Sequence, residues 1–233
     1  MRRWLRTVFV GLSVLVVLAV GGVALYVLVL RDDPPDRVAL SDDEPADAPA
    51  TTGSASPDGE WQVQAGGSSF VGYRVSETFA SLAAPSDAVG RTEAVEGTMT
   101  IAGPTVGAAA VQADLASLES DEDRRDSAIQ DRGIETDRFP EARFTLTEPI
   151  DLGGAPEQNA DVQATAVGDF TLHGVTRSVQ IPLEARWSGD TIEVVGTLLI
   201  AFSDYEIEAP TVGGFVSVED EGEMELQLTF ERA

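Results

Sequence analysis

The sequence contains no cysteine, no lysine and a single histidine, and each of these absences excludes a class of chemistry. Without cysteine the chain forms no disulfides, thiolate zinc sites, iron–sulfur clusters or thiol nucleophiles. One histidine, His173, excludes histidine-rich metal centres and leaves one imidazole for any acid–base role. Fifteen arginines stand against 40 acidic residues, and the net charge of −25 makes a nucleic-acid partner unexpected, because phosphates would be repelled.

Motifs for catalysis and metal binding are also missing from the sequence. There is no G-x-S-x-G elbow, no D-[TS]-G pair, no P-loop and no dinucleotide fingerprint. The acidic runs 121–123 and 219–221 lack the alternating ligands and central glycine of an EF-hand, which favours solvated acidic surfaces. A hydrolase that uses His173 remains an alternative, although its neighbour Gly174 favours a turn. We therefore predict a protein that is not an enzyme and has no metal and no resident cofactor.

An uncharged apolar run occupies residues 7–30 and is long enough, as a helix, to cross a membrane. Three arginines precede the run and aspartates follow it, so the N-terminus is expected in the cytoplasm and the rest outside. A cleaved signal peptide is the alternative, but its apolar region would be shorter and end in a small-x-small site. We interpret residues 1–31 as a cytoplasmic tip and transmembrane signal-anchor, which places the protein in the cell membrane as a single-pass, extracytoplasmic protein.

Residues 32–58 are rich in Asp, Pro, Ala, Ser and Thr and contain few apolar side chains. Such a segment buries too little apolar surface to offset the entropy lost on ordering, so we predict a disordered linker. The folded domain is expected to comprise residues 59–233.

From residue 59 onward apolar and polar residues alternate with period two, which is typical of strands with one buried face. His173-Gly174 joins two of these strands, and we expect a tight hairpin with positive φ there. One segment differs: Ser120, followed by acidic residues, predicts a helix N-cap, with a short surface helix running to about Gln130. The predicted strands are 61–64, 69–75, 95–101, 107–115, 143–146, 162–172, 178–187, 192–202 and 223–231.

These features predict an all-β fold, either a closed antiparallel barrel or a two-sheet sandwich, and the long strands favour an eight-stranded barrel. Small residues lie midway along the apolar faces. They either leave an apolar cavity that a hydrocarbon ligand fills, or mark bends in a packed barrel, and both interpretations remain open. The predicted cavity-lining residues are Val71, Tyr73, Val95, Gly97, Met99, Ala109, Val111, Phe144, Leu146, Ala164, Ala166, Gly168, Phe170, Ile181, Leu183, Val194, Gly196, Leu198, Leu226 and Leu228.

Two long stretches of the sequence form distinctive motifs. Residues 125–144 run from Arg125-Asp126 to Phe139-Pro140-Glu141-Ala142-Arg143-Phe144, and this stretch resembles the "RD … fP … F" core of the YceI-like family. Residues 167–177, VGDFTLHGVTR, are similar to its "G-x-L-T-I-H-G-V-T" signature. Shorter likenesses are Trp61-Gln62-Val63 with Ser68, and the segment 202–207. The resemblance spans about residues 61–230.

The resemblance implies an exported, lipocalin-like antiparallel barrel that holds a polyisoprenoid or similar long-chain lipid. It implies that Arg125 and Asp126 form a structural ion pair or hold the helix at the barrel rim. In an alternative interpretation, Arg124 or Arg125 lies at the cavity mouth and binds an anionic lipid head group. Gln64 and Gly67 stand where the family often has Asp and His, and an insertion is expected around 81–89. The oligomeric state stays open.

Overall fold

The computed structural model of the chain describes residues 34–41, 56–64, 69–79, 82–208 and 216–233. Residues from Asp36 to the C-terminus form one compact unit. The predicted signal-anchor, 1–31, lies outside the described residues. Within the described ranges, no helix combines the length and the hydropathy that a membrane crossing needs.

The described part of the domain is a single sheet of antiparallel strands with little helix. The alternation of apolar and polar residues produces these strands, since each one buries one face. The strands are β1 Gly59–Val63, β2 Phe70–Phe79, β3 Leu82–Thr92, β4 Val95–Ala102, β5 Thr105–Asp114, β6 Glu119–Ser120, β7 Glu141–Leu146, β8 Ile150–Asp151, β9 Asp161–Leu172, β10 Val175–Ser188, β11 Thr191–Ala201, β12 Val216–Val218 and β13 Glu221–Arg232.

The sheet closes into a barrel because β13 pairs with both β1 and β2. Strand β1 also pairs with β4, and β2 with β3, so β1 and β2 form one interrupted wall strand and β3 and β4 form the next. The other six wall strands are β5, β7, β9, β10, β11 and β13. The predicted closed antiparallel barrel of eight strands is confirmed, and the sandwich is excluded.

Two groups of buried side chains fill the two ends of the barrel. The first, called here the tryptophan cluster, lies toward the β10–β11 turn and comprises Trp61, Val63, Val95, Met99, Ile101, Val106, Ala113, Ile150, Ala166, Ile181, Trp187, Ile192, Val194, Leu228 and Phe230. The second, the tyrosine cluster, lies toward the β9–β10 hairpin and comprises Tyr73, Val75, Ala88, Leu115, Leu118, Leu172, Ile200 and Tyr205.

A short helix, α1, covers residues Asp123–Ala128 and continues as a π-helical turn over Ile129–Gly133. The predicted surface helix is present, but its predicted N-cap is wrong. The cap residue is Glu122, whose side chain makes no capping hydrogen bond. The Ser120 hydroxyl instead donates to the Asp126 carboxylate at 2.6 Å, because Ser120 belongs to strand β6 and faces the helix from outside it.

The hairpin between β9 and β10 is confirmed. His173 and Gly174 have φ values of 51° and 74°, both in the left-handed region that a tight two-residue turn requires. The segment predicted as an insertion at 81–89 lies mostly in β3, which pairs with β2 along its length. Alternation is weak in this strand because alanines and a glycine take several of its positions and Pro85 interrupts it.

Residues 36–41, named here the strap, lie in the segment predicted to be a disordered linker. For these six residues the structure shows ordered contacts with the outer face of the barrel. Leu40 is buried, the Ser41 hydroxyl donates to Glu193 at 2.8 Å, and the Ser41 carbonyl accepts from Arg186 at 2.7 Å. The composition of the segment predicts disorder because composition carries no information on hydrogen-bond partners in distant strands, such as Glu193 and Arg186.

Candidate ligand-binding interior

The interior of the barrel is where the predicted lining residues meet. Apart from the three glycines, every one of them belongs to, or packs against, the tryptophan or tyrosine cluster. Their inward placement follows from the period-two pattern. Their contact with a ligand stays a prediction.

The inner wall is not uniformly buried. Several inward apolar side chains are only partly buried although they project into a closed barrel: Val71, Ala109, Val111, Phe144, Leu146, Ala164, Phe170, Leu183, Leu198 and Leu226. They come from seven of the eight wall strands. A core packed to ordinary protein density would bury such side chains completely, so the interior contains apolar surface that the chain's own side chains leave uncovered.

The glycines do not contribute to this uncovered surface. A Cβ placed on Gly168 would lie 2.5 Å from the Phe144 ring, and one on Gly196 would lie 2.6 Å from Leu183. On Gly97 it would lie 3.0 Å from a Val63 methyl. The expectation that these glycines create empty space is therefore wrong, because larger neighbours lie directly over them.

Among the predicted mouth residues, Arg125 is largely buried and Arg124 is exposed. The Arg125 guanidinium reaches from α1 to Glu77 on the inner face of β2, with Nε 3.0 Å from Oε1, and it also pairs with Asp121. Burial lowers the pKa of Arg125, but the hydrogen bonds and charge of Glu77 outweigh this effect and leave the pKa raised. Arg125 is a permanent cation that attaches the helix to the barrel.

The ion pair that the resemblance implied between Arg125 and Asp126 is not the one formed. Asp126 accepts instead from the backbone N–H and the hydroxyl of Ser120, at 3.0 and 2.6 Å. The resemblance also implied that these residues hold the helix at the rim, and the contacts of Arg125 with Glu77 do so. Glu77 was missed, although a carboxylate at an inward position of a period-two strand was a signal that could have found it.

Tyr73 lies on the same inner face of β2, two residues from Val75, and is 6% exposed. Its ring crosses over Gly90, where a Cβ would come within 2.4 Å of it. Within the described residues the Tyr73 hydroxyl is buried without a hydrogen-bond partner. Burial raises the pKa of Tyr73 well above its usual range, so the hydroxyl keeps its proton and remains a donor.

At the helix end of the barrel, His173 in the β9–β10 hairpin contacts the segment that follows β11 and the segment between α1 and β7. Its Nδ1 is 2.9 Å from the Tyr205 carbonyl oxygen, its Nε2 is 3.1 Å from Glu135, and Phe139 packs edge-on at 4.5 Å. The hydrogen bond from His173, with a smaller effect of Arg138, lowers the pKa of Glu135. Both ring nitrogens are engaged in structural contacts, so the geometry favours the turn over the alternative of a hydrolase base.

The ranges that the structure describes contain no group of three or more His, Asp or Glu side chains arranged to hold a metal ion. The Glu77 carboxylate on the inner face of β2 is paired with Arg125. The walls of the interior are apolar, and Tyr73, Glu77 and Arg125 form a polar group at its helix end.

Comparison with curated proteins finds bacterial relatives that are named UPF0312 proteins. A UPF0312 protein from Vibrio parahaemolyticus is 31% identical over 116 residues, which cover 47% of this chain and 58% of the relative. One from Pseudomonas syringae pv. tomato is 31% identical over 107 residues, which cover 43% and 52%. The chain thus spans little more than half the length of the curated relatives it matches.

Solved structures share the fold at low sequence identity. A polyisoprenoid binding domain from Saccharophagus degradans, implicated in plant cell wall breakdown, superposes with a TM-score of 0.60 at 20% identity, covering 74% of this chain and 98% of that domain. A YCEI protein from Campylobacter jejuni gives 0.51 at 15% identity, covering 62% and 84%. The family model of the YceI-like domain matches residues 61–230, from the first strand to the last. The chain therefore belongs to the YceI-like domain family.

Proposed function

We propose that this protein binds a polyisoprenoid or a similar long-chain lipid in the apolar interior of its barrel, and carries or sequesters it. The observation that carries the proposal is the set of partly buried apolar side chains on the inner wall of a closed barrel. Each buried methylene contributes about 0.8 kcal/mol, so a chain of several isoprene units would bind with few polar contacts.

The comparisons support the chemistry of this ligand. The Saccharophagus domain, named for polyisoprenoid binding, has the same barrel, and this chain covers nearly all of it.

The route of entry follows from the two ends of the barrel. At the end away from helix α1, Trp61 and Trp187 are buried, and their indole N–H groups donate to the Pro57 and Gly189 carbonyls at 2.8 and 2.6 Å. A lipid would therefore enter from the helix end.

We propose further that the barrel lies outside the cytoplasm, tethered by the apolar segment 7–30. The support is the arginines before that segment and the absence of positive charge excess after it. We expect protease added to intact spheroplasts to digest the barrel. Full protection of the barrel from the protease would contradict this placement.

The direct test compares two alanines that are neighbours on β5 and face opposite ways. Ala109 is partly buried and packs against the tryptophan cluster, and Ala108 is exposed on the outer face. If lipid occupies the interior, Ala109→Phe displaces it. We expect native mass spectrometry of the full chain to show copurifying lipid with the parent protein and with Ala108→Phe, and strongly reduced lipid with Ala109→Phe.

A packed barrel that serves as a structural or interaction domain is the second candidate, favoured by the way Phe144 and Leu183 cover Gly168 and Gly196. In that case Ala109→Phe overpacks the core and lowers the free energy of unfolding by about 1–3 kcal/mol. The structural role would be favoured over lipid binding by three results together. The parent protein would purify without lipid, it would take up neither isoprenoid quinones nor polyprenols, and Ala109→Phe would be destabilised by this amount.

A further inference from the structure

The tyrosine cluster contains one polar atom that the fold does not use. The hydroxyl of Tyr73 is buried on the inner face of the barrel and has no partner among the described residues. A buried donor without an acceptor is costly, and most such groups in folded proteins are paired. A phenylalanine at this position would fill the same space without that cost, so the hydroxyl needs an explanation.

Ser120 is a polar neighbour of the Tyr73 hydroxyl. The hydrogen-bonding capacity of the Ser120 hydroxyl is already used. The Ser120 hydroxyl donates its proton to Asp126 at 2.6 Å. Its oxygen accepts from Arg125 Nη1 at 3.1 Å and from the Glu122 backbone N–H at 3.3 Å. One proton and two lone pairs are the whole inventory of a hydroxyl, so Ser120 has no acceptor site left for Tyr73.

The charges around the Tyr73 hydroxyl are predominantly negative. Two carboxylates, Glu77 and Asp126, act on it against one nearby cation, Arg125, which is itself held by Glu77 and Asp121. A phosphate or diphosphate group brought here would meet an arginine already neutralised, and carboxylates that repel it. These contacts do not favour the alternative interpretation in which Arg125 binds an anionic head group.

We infer that the Tyr73 hydroxyl donates a hydrogen bond to a neutral oxygen acceptor, such as a hydroxyl or carbonyl, on the polar end of the bound lipid, and that the surrounding carboxylates select against phosphorylated lipids. This inference rests on the proposed function, since it concerns the polar end of the same ligand. It makes Tyr73 a determinant of specificity, with the apolar wall supplying most of the affinity.

The test measures the affinity of the full chain, stripped of lipid, for three probes with similar isoprenoid tails. Geranylgeraniol carries a neutral hydroxyl, geranylgeranyl phosphate carries an anion, and phytane carries no polar group. We expect the alcohol to bind at least tenfold more tightly than the phosphate. Tyr73→Phe is expected to weaken binding of the alcohol about fivefold, the contribution of one net hydrogen bond, and to leave phytane unchanged.

Tyr205→Phe is the matched control, because Tyr205 is a second buried tyrosine of the same cluster whose hydroxyl is not among the unpartnered buried atoms. It should leave the affinity for the alcohol unchanged. Since Tyr73→Phe removes only an unpaired hydroxyl, we expect its ligand-free form to melt no lower than the parent, which separates loss of binding from loss of fold.

Two results would overturn the inference while leaving the proposed function intact: equal affinity of parent and Tyr73→Phe for geranylgeraniol, or binding of the phosphate as tight as that of the alcohol. If none of the three probes binds, phytane included, the proposed function fails and the inference fails with it.

Discussion

Gly168 shows at the scale of one residue how the interior is packed. The position lies on the inner face of β9, opposite Leu146 in β7, and the Phe144 ring occupies the space where a side chain would project. The alternation of the sequence placed Gly168 correctly on the inner face. It could not show what covers the glycine, because the covering ring comes from another strand whose register depends on closure of the barrel.

The packing at Gly168 predicts a large effect of a single methyl group. In Gly168→Ala the new Cβ would lie 2.4 Å from the Thr145 carbonyl oxygen and 2.5 Å from the Phe144 ring, so backbone as well as side chain must move. We expect the free energy of unfolding, measured with urea, to fall by about 1–3 kcal/mol.

Gly107 provides the control for that substitution. It lies in β5, is exposed, and a Cβ there would have no atom within 4 Å. Gly107→Ala should change the free energy of unfolding by no more than about 0.5 kcal/mol. Equal effects of the two substitutions would show that intrinsic strand propensity, and not contact with Phe144, sets the cost at Gly168.

At the scale of the element, the strap and the strands beneath it form a buried charged layer on the outer face of the barrel. Arg74 of β2 and Glu225 of β13 are paired at 2.6 Å, with side chains only 5% and 1% exposed. Their burial arises outside the barrel, where the Asp36 carbonyl of the strap accepts from Arg74 at 3.4 Å and from Arg91 at 3.0 Å.

The Arg74–Glu225 pair predicts a stability cost that depends on which partner is removed. Arg74→Met leaves the Glu225 carboxylate almost fully buried beside Arg91, which lies 3.5 Å away, and should lower the free energy of unfolding by about 3 kcal/mol. The double variant Arg74→Met/Glu225→Leu should recover most of this loss, since it leaves no buried charge behind.

Arg143→Met is the matched control at the surface. Arg143 pairs with Glu141 at 2.9 Å, but the two side chains are 55% and 46% exposed, so the expected cost is below about 1 kcal/mol. If Arg74→Met costs no more than Arg143→Met, or if the double variant is less stable than the single one, the buried layer does not stabilise the fold as described.

The elements differ in how far the sequence predicts them. The strands β9, β10, β11 and β13 follow from long runs in which apolar and polar residues alternate with few interruptions. Strand β3 was missed because its inward residues, such as Ala88 and Gly90, are small. The strap was missed because its acceptors and donors, including Glu193 and Arg186, are distant in sequence and become neighbours only on the folded surface.

For the candidate site the division is similar. Inward placement of the lining residues follows from their period, and so does the apolar character of a ligand. The polar contacts at the helix end could not be predicted in this way. The Ser120 hydroxyl makes hydrogen bonds with Asp126, Arg125 and the Glu122 backbone, and the spacing of residues in the sequence does not indicate these three contacts.

At the scale of the whole molecule, the dominant physical feature is the net charge of −25, with a sequence isoelectric point near 4.1. Self-repulsion of this size favours the expanded, unfolded chain over the compact one. Salt weakens the repulsion, since the Debye length falls from about 30 Å at 0.01 M to about 8 Å at 0.15 M. The buried pair Arg74–Glu225 is screened much less than exposed charges, so added salt should remove more repulsion than attraction.

We therefore expect the melting temperature at pH 7 to rise with sodium chloride over this range, by about 2–4 °C for each kcal/mol of relieved repulsion. Near the isoelectric point the net charge vanishes and the salt effect should vanish with it. Thermal unfolding followed by circular dichroism at both pH values separates the charge effect from general salt effects, which act alike at each pH. A rise of equal size near pH 4.1 and at pH 7 would mean that net charge does not limit the stability of this barrel.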